Sequence, residues 1–237
     1  LQRAQLGEIK NGSECWSLLH RNASLGGLCK YALAPDTGTR LVRAELPLDL
    51  DRGLVHMSRR LRETCAGLQA ALDGLHGAAS ITADSSISST EASDRRVGQL
   101  LEEAGWPFVE RTPGQPKVLT ADLENRNSFS QAVIEELEGQ EVRAFTEIGK
   151  WESLSAVQEE AVSRFLLSSC ASLRMVRAVI AETDNRATAC FEIRISSPGA
   201  DEMAHALAAL SVAANMCAKE TQCFEDEQVA EAYLKLR

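Results

Sequence analysis

The sequence predicts an α+β protein with antiparallel sheets and helices packed on one side, and three features carry that reading. Residues 16–72 and 164–218 follow the same order of helix, hairpin and helix at nearly the same spacing. The strand candidates alternate apolar and polar residues, the period of a strand with one buried face. Their connections are short and rich in turn residues, as hairpins require.

In the first segment, Trp16–Leu25 reads as a helix and Leu28–Leu33 as a strand. Ala34–Gly38 is a turn, with Pro35 at its second position and Gly38 at its end. The next strand, Arg40–Leu46, places Val42, Ala44 and Leu46 on one face and Arg43 and Glu45 on the other, and Pro47 ends it. Asp51 is positioned to cap a helix reaching Leu75. Leu54, Met57, Leu61, Cys65, Leu68 and Leu72 recur along that helix at helical spacing, as a face turned to the core.

The second segment repeats this grammar. Leu166–Leu173 ends a helix, Met175–Ala181 is a strand and Glu182–Arg186 a polar turn. Thr188–Ile195 alternates, with Ala189, Phe191, Ile193 and Ile195 facing one way, and Pro198-Gly199 breaks it. Asp201 is expected to cap a helix built on Met203, Leu207, Leu210, Ala214 and Cys217. The octets Leu18–Leu25 and Leu166–Leu173 agree at five of eight positions, with Asp36 and Asp184 in register. The expectation is an internal duplication whose period is too long for a solenoid.

Residues 77–93, rich in Ser, Ala and Thr, read as a linker. Beyond it, Arg95–Trp106 is a short amphipathic helix, followed by strands at Lys117–Leu123, Phe129–Leu137 and Glu141–Ile148. A helix over Leu154–Leu173 leads into the second copy, and the last helix is expected to break near Thr221–Phe224. The division is therefore 1–76, a partial α-β-β-α repeat; 77–93, a linker; and 94–237, a full α-β-β-β-α-β-β-α unit. The chain opens on Leu1 rather than Met. Either its beginning is missing, with room for a leader, or the first copy is reduced.

Composition narrows the function. A net charge of -9 offers nothing to neutralise phosphates, so nucleic acid is not expected as a partner. Arg59, Arg60 and Arg62 form the densest basic cluster and read as a solvated helix face. No apolar run approaches the roughly 20 residues of a membrane span. Seven cysteines at irregular spacing suggest free thiols in a reducing cytoplasm rather than a disulfide framework.

Catalytic chemistry finds little support. Cys217, Cys223 and His205 lack the paired spacing of a zinc site, and no metal or cofactor is expected. His20, His56, His76 and His205 have no nucleophile elbow to serve, so no catalytic residue is assigned. Gly26-Gly27 and Pro113-Gly114 are turns, not phosphate loops. Glu135, Glu136, Glu138, Glu141 and Glu147 read as a solvated sheet edge guarded by charge. The alternative is a small-ligand protein or hydrolase assembled from Glu136, Glu147 and His205.

The element order, with phrases such as Gly27-Leu-Cys-Lys-Tyr-Ala-Leu33 and Arg43-Ala-Glu-Leu-Pro47, resembles the type III secretion chaperone-like fold and the related YbjN-like bacterial proteins. The resemblance covers 94–237 fully and 13–76 as a half unit. It implies a five-stranded antiparallel sheet with helices to one side, and a non-catalytic module binding a protein or peptide through sheet and helix surfaces. It also implies a homodimer or, in a tandem chain, an intrachain pseudo-dimer.

Overall fold

In the computed structural model, residues 2–9, 11–47, 53–75, 97–110, 118–123, 130–137, 140–183 and 186–236 are described. The linker read at 77–93, the cap read at Asp51 and the residues His76, Pro113, Gly114, Glu138 and Asp184 lie outside them.

The first segment runs β1 (Gln2–Glu8), α1 (Gly12–Asn22), β2 (Cys29–Leu33), β3 (Thr39–Ala44) and α2 (Gly53–Leu75). The second runs α3 (Val97–Glu103), β4 (Phe108–Glu110), β5 (Val118–Leu123), β6 (Ser130–Glu136), β7 (Glu141–Trp151), α4 (Ala156–Ser172), β8 (Arg177–Thr183), β9 (Arg186–Ser196), α5 (Ala200–Cys223) and α6 (Glu227–Lys235). Strands pair antiparallel in two sheets, ordered β1-β3-β2 and β4-β5-β6-β7-β9-β8. The α+β class is thus as the patterning indicates. The helix break after Cys223 also falls where the sequence places it.

Two strands escape the sequence pattern. β1, Gln-Arg-Ala-Gln-Leu-Gly-Glu, has no regular alternation, and its partner β3 holds it in the sheet from Gln2↔Ala44 to Glu8↔Thr39. β4 is three residues long and makes the larger sheet six-stranded, not five-stranded. Pairing partners supply what local propensity lacks.

The larger sheet buries one face beneath α5. Leu119, Ala121, Ala132, Ile134, Val142, Ala144, Phe191 and Ile193 alternate along their strands and are buried, as are Met203, Ala206, Leu207, Leu210, Ala213 and Ala214 on the helix. Three alanines on the buried side of α5 let the helix approach the sheet closely. Its cap differs from expectation: Gly199 holds the N-cap position, and the Glu202 carboxylate accepts from the Gly199 amide at 3.1 Å. Asp201 instead lies in the first turn, where its charge complements the helix dipole. At α4, Ser155 and Gln158 cap each other reciprocally.

The strand order β1-β3-β2 recurs as β7-β9-β8, with a helix inserted after the first strand of each trio. The two trios meet through helices that cross over: α1 packs on α4 and on β8, while α4 packs on β2. Their contacts are reciprocal. Lys30 of β2 donates to the carbonyls of Leu173 (2.6 Å) and Val176 (2.8 Å), just past α4. Arg177 of β8 donates to the carbonyls of Leu25, in the connection after α1, and of Cys29, which opens β2. Arg43 likewise reaches the Ala171 carbonyl, and Arg194 reaches that of Ala23. Lys30, Arg43 and Arg194 thus meet carbonyls at a helix C-terminus, and Arg177 meets those of the connection between α1 and β2. The Met175 amide donates to Glu45 and the Gly27 amide to Glu141, and both residues adopt left-handed backbone, at φ 61° and 57°.

Asn22, at the end of α1, bridges the facing edges of the two sheets. Its Oδ1 accepts from the Tyr31 amide (2.7 Å), and its Nδ2 donates to the carbonyls of Ala178 (2.9 Å) and Tyr31 (3.3 Å). Cys170, the matching residue of α4, accepts from the Ala178 amide at 3.0 Å. The face of β3 that bears Arg43 and Glu45 is consequently not a solvent face. Glu45 is buried and lies 3.2 Å from both Lys30 and Arg43.

Candidate partner-binding surfaces

α2 departs furthest from its sequence reading. Only Arg60 and Ala71 of its 23 residues are buried. The helix lies on the smaller sheet through small residues. A Cβ added to Gly67 would come 3.4 Å from Cys29, and one on Gly74 would come 3.0 Å from the Tyr31 hydroxyl. Tyr31 donates to the Ala71 carbonyl (2.6 Å) and Arg21 to that of Gly74 (2.6 Å), which pins the C-terminal half. Because the close approach uses Gly67, Ala71 and Gly74, the neighbouring leucine column faces sideways. Leu68, Leu72 and Leu75 reach the core partially. Leu54 is 79% exposed, Val55 85% and Leu61 50%, and Cys65 is exposed as well. The expectation that Leu54, Leu61 and Cys65 face the core is therefore corrected.

Arg60 is also not solvated, contrary to the reading of the basic cluster. It is buried, and it grips both carboxylate oxygens of Glu202 at 3.0 and 2.9 Å, tying α2 to the first turn of α5. Arg59 lies 3.8 Å from Glu63. Arg62 is exposed; its Nε donates to the Ser58 carbonyl at 3.4 Å, and it pairs with no carboxylate among the described residues.

The sheet face opposite α5 is a second surface. One cross-strand row traverses all six strands: Val109, Thr120, Val133, Phe145, Glu192 and Arg177. It grades from exposed Val109 to fully buried Glu192 and Arg177. The adjacent row holds Val118, Glu135, Arg143 and Arg194. The Arg143 guanidinium stacks 4.5 Å above the Phe145 ring and pairs with Glu192 (2.6 Å) and Glu135 (3.3 Å). Burial alone would raise the Glu192 pKa, but Arg177, Arg194 and Arg143 outweigh it and hold the carboxyl below its ordinary value.

The residues weighed for catalysis are scattered. Glu135, Glu136, Glu141 and Glu147 lie on β6 and β7, interior strands rather than a sheet edge. Interior position is compatible with their charge because Glu135 pairs with Arg143 and Glu141 accepts from Gly27. Glu147 stands opposite Cys190, on the face away from α5, whereas His205 is exposed on α5. Glu136, Glu147 and His205 therefore do not converge. Cys217 is buried and Cys223 exposed, and no group of metal-ligating side chains assembles among the described residues. Burial raises the thiols of Cys15, Cys29 and Cys217 to about 11 and that of Cys190 to about 12. A cleft of about 20 Å³ between the Gly26-Gly27 turn and α2, lined also by Glu45, Arg60 and Thr64, has room for about one water molecule.

The arrangement on α2 carries a sequence signal beyond simple amphipathicity. Leu54, Leu61, Leu68 and Leu75 recur every seven residues, with Ser58, Cys65 and Leu72 at the intervening seam positions. A seven-residue leucine column beside a run of Gly and Ala marks a helix with two different packing sides. No helix among the described residues is long and apolar enough to cross a membrane. Comparison of the chain with family models, curated proteins and solved structures finds no match.

Proposed function

We propose that this chain is a non-catalytic protein-binding module whose partner covers the outward leucine column of α2. The observation that carries this reading is the exposure of Leu54 and Leu61, two turns apart on one helix, with exposed Val55 beside Leu54. Contiguous apolar exposure on a protein surface marks interaction sites more often than scattered single residues do. A helix laid along such a column is a recurrent recognition mode. The half-buried row through Val133 and Phe145 offers an additional sheet contact.

The reading extends the resemblance to type III secretion chaperone-like and YbjN-like proteins, and with it a bacterial origin and an internally duplicated chain. The repeated strand order and the reciprocal Lys30 and Arg177 contacts support an intrachain pseudo-dimer. A reducing compartment such as the cytoplasm fits the free thiols.

The test compares the wild-type chain with Leu61→Asp as baits, at equal melting temperature, in quantitative pull-downs with the bound proteins identified. A near-stoichiometric partner retained by the wild type and lost by Leu61→Asp is expected. Equal retention by both baits would remove α2 as the binding surface.

A further inference from the structure

We infer that the first segment is held by the second as a separate protein would be, so that a first segment from a second copy of the chain fits the same surface. This rests on the pseudo-dimer reading and not on α2 as a partner surface. The contacts between the trios run both ways, as they do between identical subunits that meet through one shared surface. α1 packs on β8 while α4 packs on β2. Arg43 reaches the Ala171 carbonyl near the end of α4, and Arg194 reaches that of Ala23 at the end of α1. The Met175 amide donates to Glu45 and the Gly27 amide to Glu141. These hydrogen bonds join residues 114 to 171 positions apart, so they owe nothing to proximity along the chain.

Each segment also leaves buried groups that only the other completes. Lys30 is buried with its ammonium on the Leu173 and Val176 carbonyls, and Arg177 is buried on those of Leu25 and Cys29. Leu19 and Leu33 share one core with Leu166 and Leu167. Taken apart, the segments would expose that core and leave both cations without those carbonyls, as subunits of an obligate interface do. The covalent link then sets only the concentration at which the surfaces meet. Joined segments meet at an effective concentration of roughly millimolar order, so the uncut chain should stay closed on itself.

The experiment uses the full chain with a Gly/Ser insert carrying a protease recognition sequence between Ser85 and Ser86, inside the stretch read as a linker. After complete cleavage of the folded protein, the two pieces should co-elute at micromolar concentration. Their melting temperature should rise by about 3–6 °C for each tenfold increase in concentration, whereas that of the uncut chain should not move. A tagged light population and an untagged isotope-heavy one are then cut, mixed, unfolded in urea and refolded. Capture through a C-terminal tag should recover light and heavy first segments in equal amounts, and the same mixture left uncut should yield light chain alone. Lys30→Met, cut in the same way, should weaken association about tenfold or more, read as a higher half-dissociation concentration. Arg43→Met gives a second reading on the same contacts if Lys30→Met does not fold.

Pieces that separate while each stays folded would overturn both the inference and the pseudo-dimer reading. A cut protein that fails to reassemble where the uncut chain refolds would overturn the inference and leave the pseudo-dimer as an intrachain arrangement. Association that both substitutions leave unchanged would overturn the assignment of the surface to these contacts.

Discussion

Glu192 is the residue on which the interior charge balance turns. It is fully buried and lies within 2.6–2.9 Å of the guanidinium nitrogens of Arg177, Arg143 and Arg194. Its folded-state pKa is depressed, so its contribution to stability is complete above the ordinary carboxylate range and is lost as pH falls through the folded value. Glu192→Gln should cost about 3–5 kcal/mol at neutral pH, because it leaves buried guanidinium charge uncompensated. It should also flatten the acid limb of a stability–pH profile measured by urea unfolding; an unchanged limb would show that other carboxyls control it. The thiols give a simpler count. Five of seven are buried, and four of these have pKa values near 11 to 12. A thiol reagent at pH 8 should label Cys65 and Cys223 in the native protein and the remaining five only after denaturation. Gly27 belongs to this scale too: at φ 57° with open space around it, Gly27→Ala should cost about 1 kcal/mol from backbone strain alone, read as a lowered urea midpoint.

Among the elements, α2 separates what periodicity can reveal from what it cannot. The spacing of Leu54, Leu61, Leu68 and Leu72 identifies the helix correctly, yet the body packs against Gly67, Ala71 and Gly74 instead. An apolar column states that a side is apolar, not what covers it, and small residues that permit close approach carry a low hydropathy signal. Arg60 was illegible for a related reason, since its buried partner Glu202 is 142 positions away. The hairpin β2–β3 and strands β5 to β9 were legible because alternation and turn residues agree there, whereas β1 depends on β3 and has no pattern of its own. The candidate surface was visible only as an amphipathic helix. Leu61→Asp should therefore change stability by less than about 1 kcal/mol despite replacing a leucine, while Arg60→Ala should cost about 3 kcal/mol through the stranded Glu202. Chemical denaturation of the two variants checks the ordering, and a reversal would place the buried side of α2 on the leucine column.

On the scale of the molecule, residues from both trios contribute to one continuous core, from Leu19, Tyr31 and Val42 to Leu166, Phe191 and Leu210. Lys30 and Arg194 each bind the C-cap carbonyl of the opposite trio's helix, Leu173 and Ala23, so neither trio retains that contact when the other unfolds. Unfolding should be a single transition in which the fluorescence of Trp16, in α1, and of Trp151, in β7, changes together; single-tryptophan variants with separate midpoints would contradict this coupling. Most of this organisation lies beyond sequence patterning, because the contacts join residues roughly 130 to 170 positions apart.

The bridge made by Asn22 has a consequence for colloidal behaviour. β2 and β8 are the inward-facing margins of their sheets, and a strand margin with unused amide and carbonyl groups invites addition of a foreign strand. By occupying Tyr31 and Ala178 at once, one side-chain amide closes both margins to templated growth. Asn22→Leu keeps the branching and heavy-atom count of the side chain and loses the closure, so its partly opened forms should seed fibrils that the native sequence suppresses.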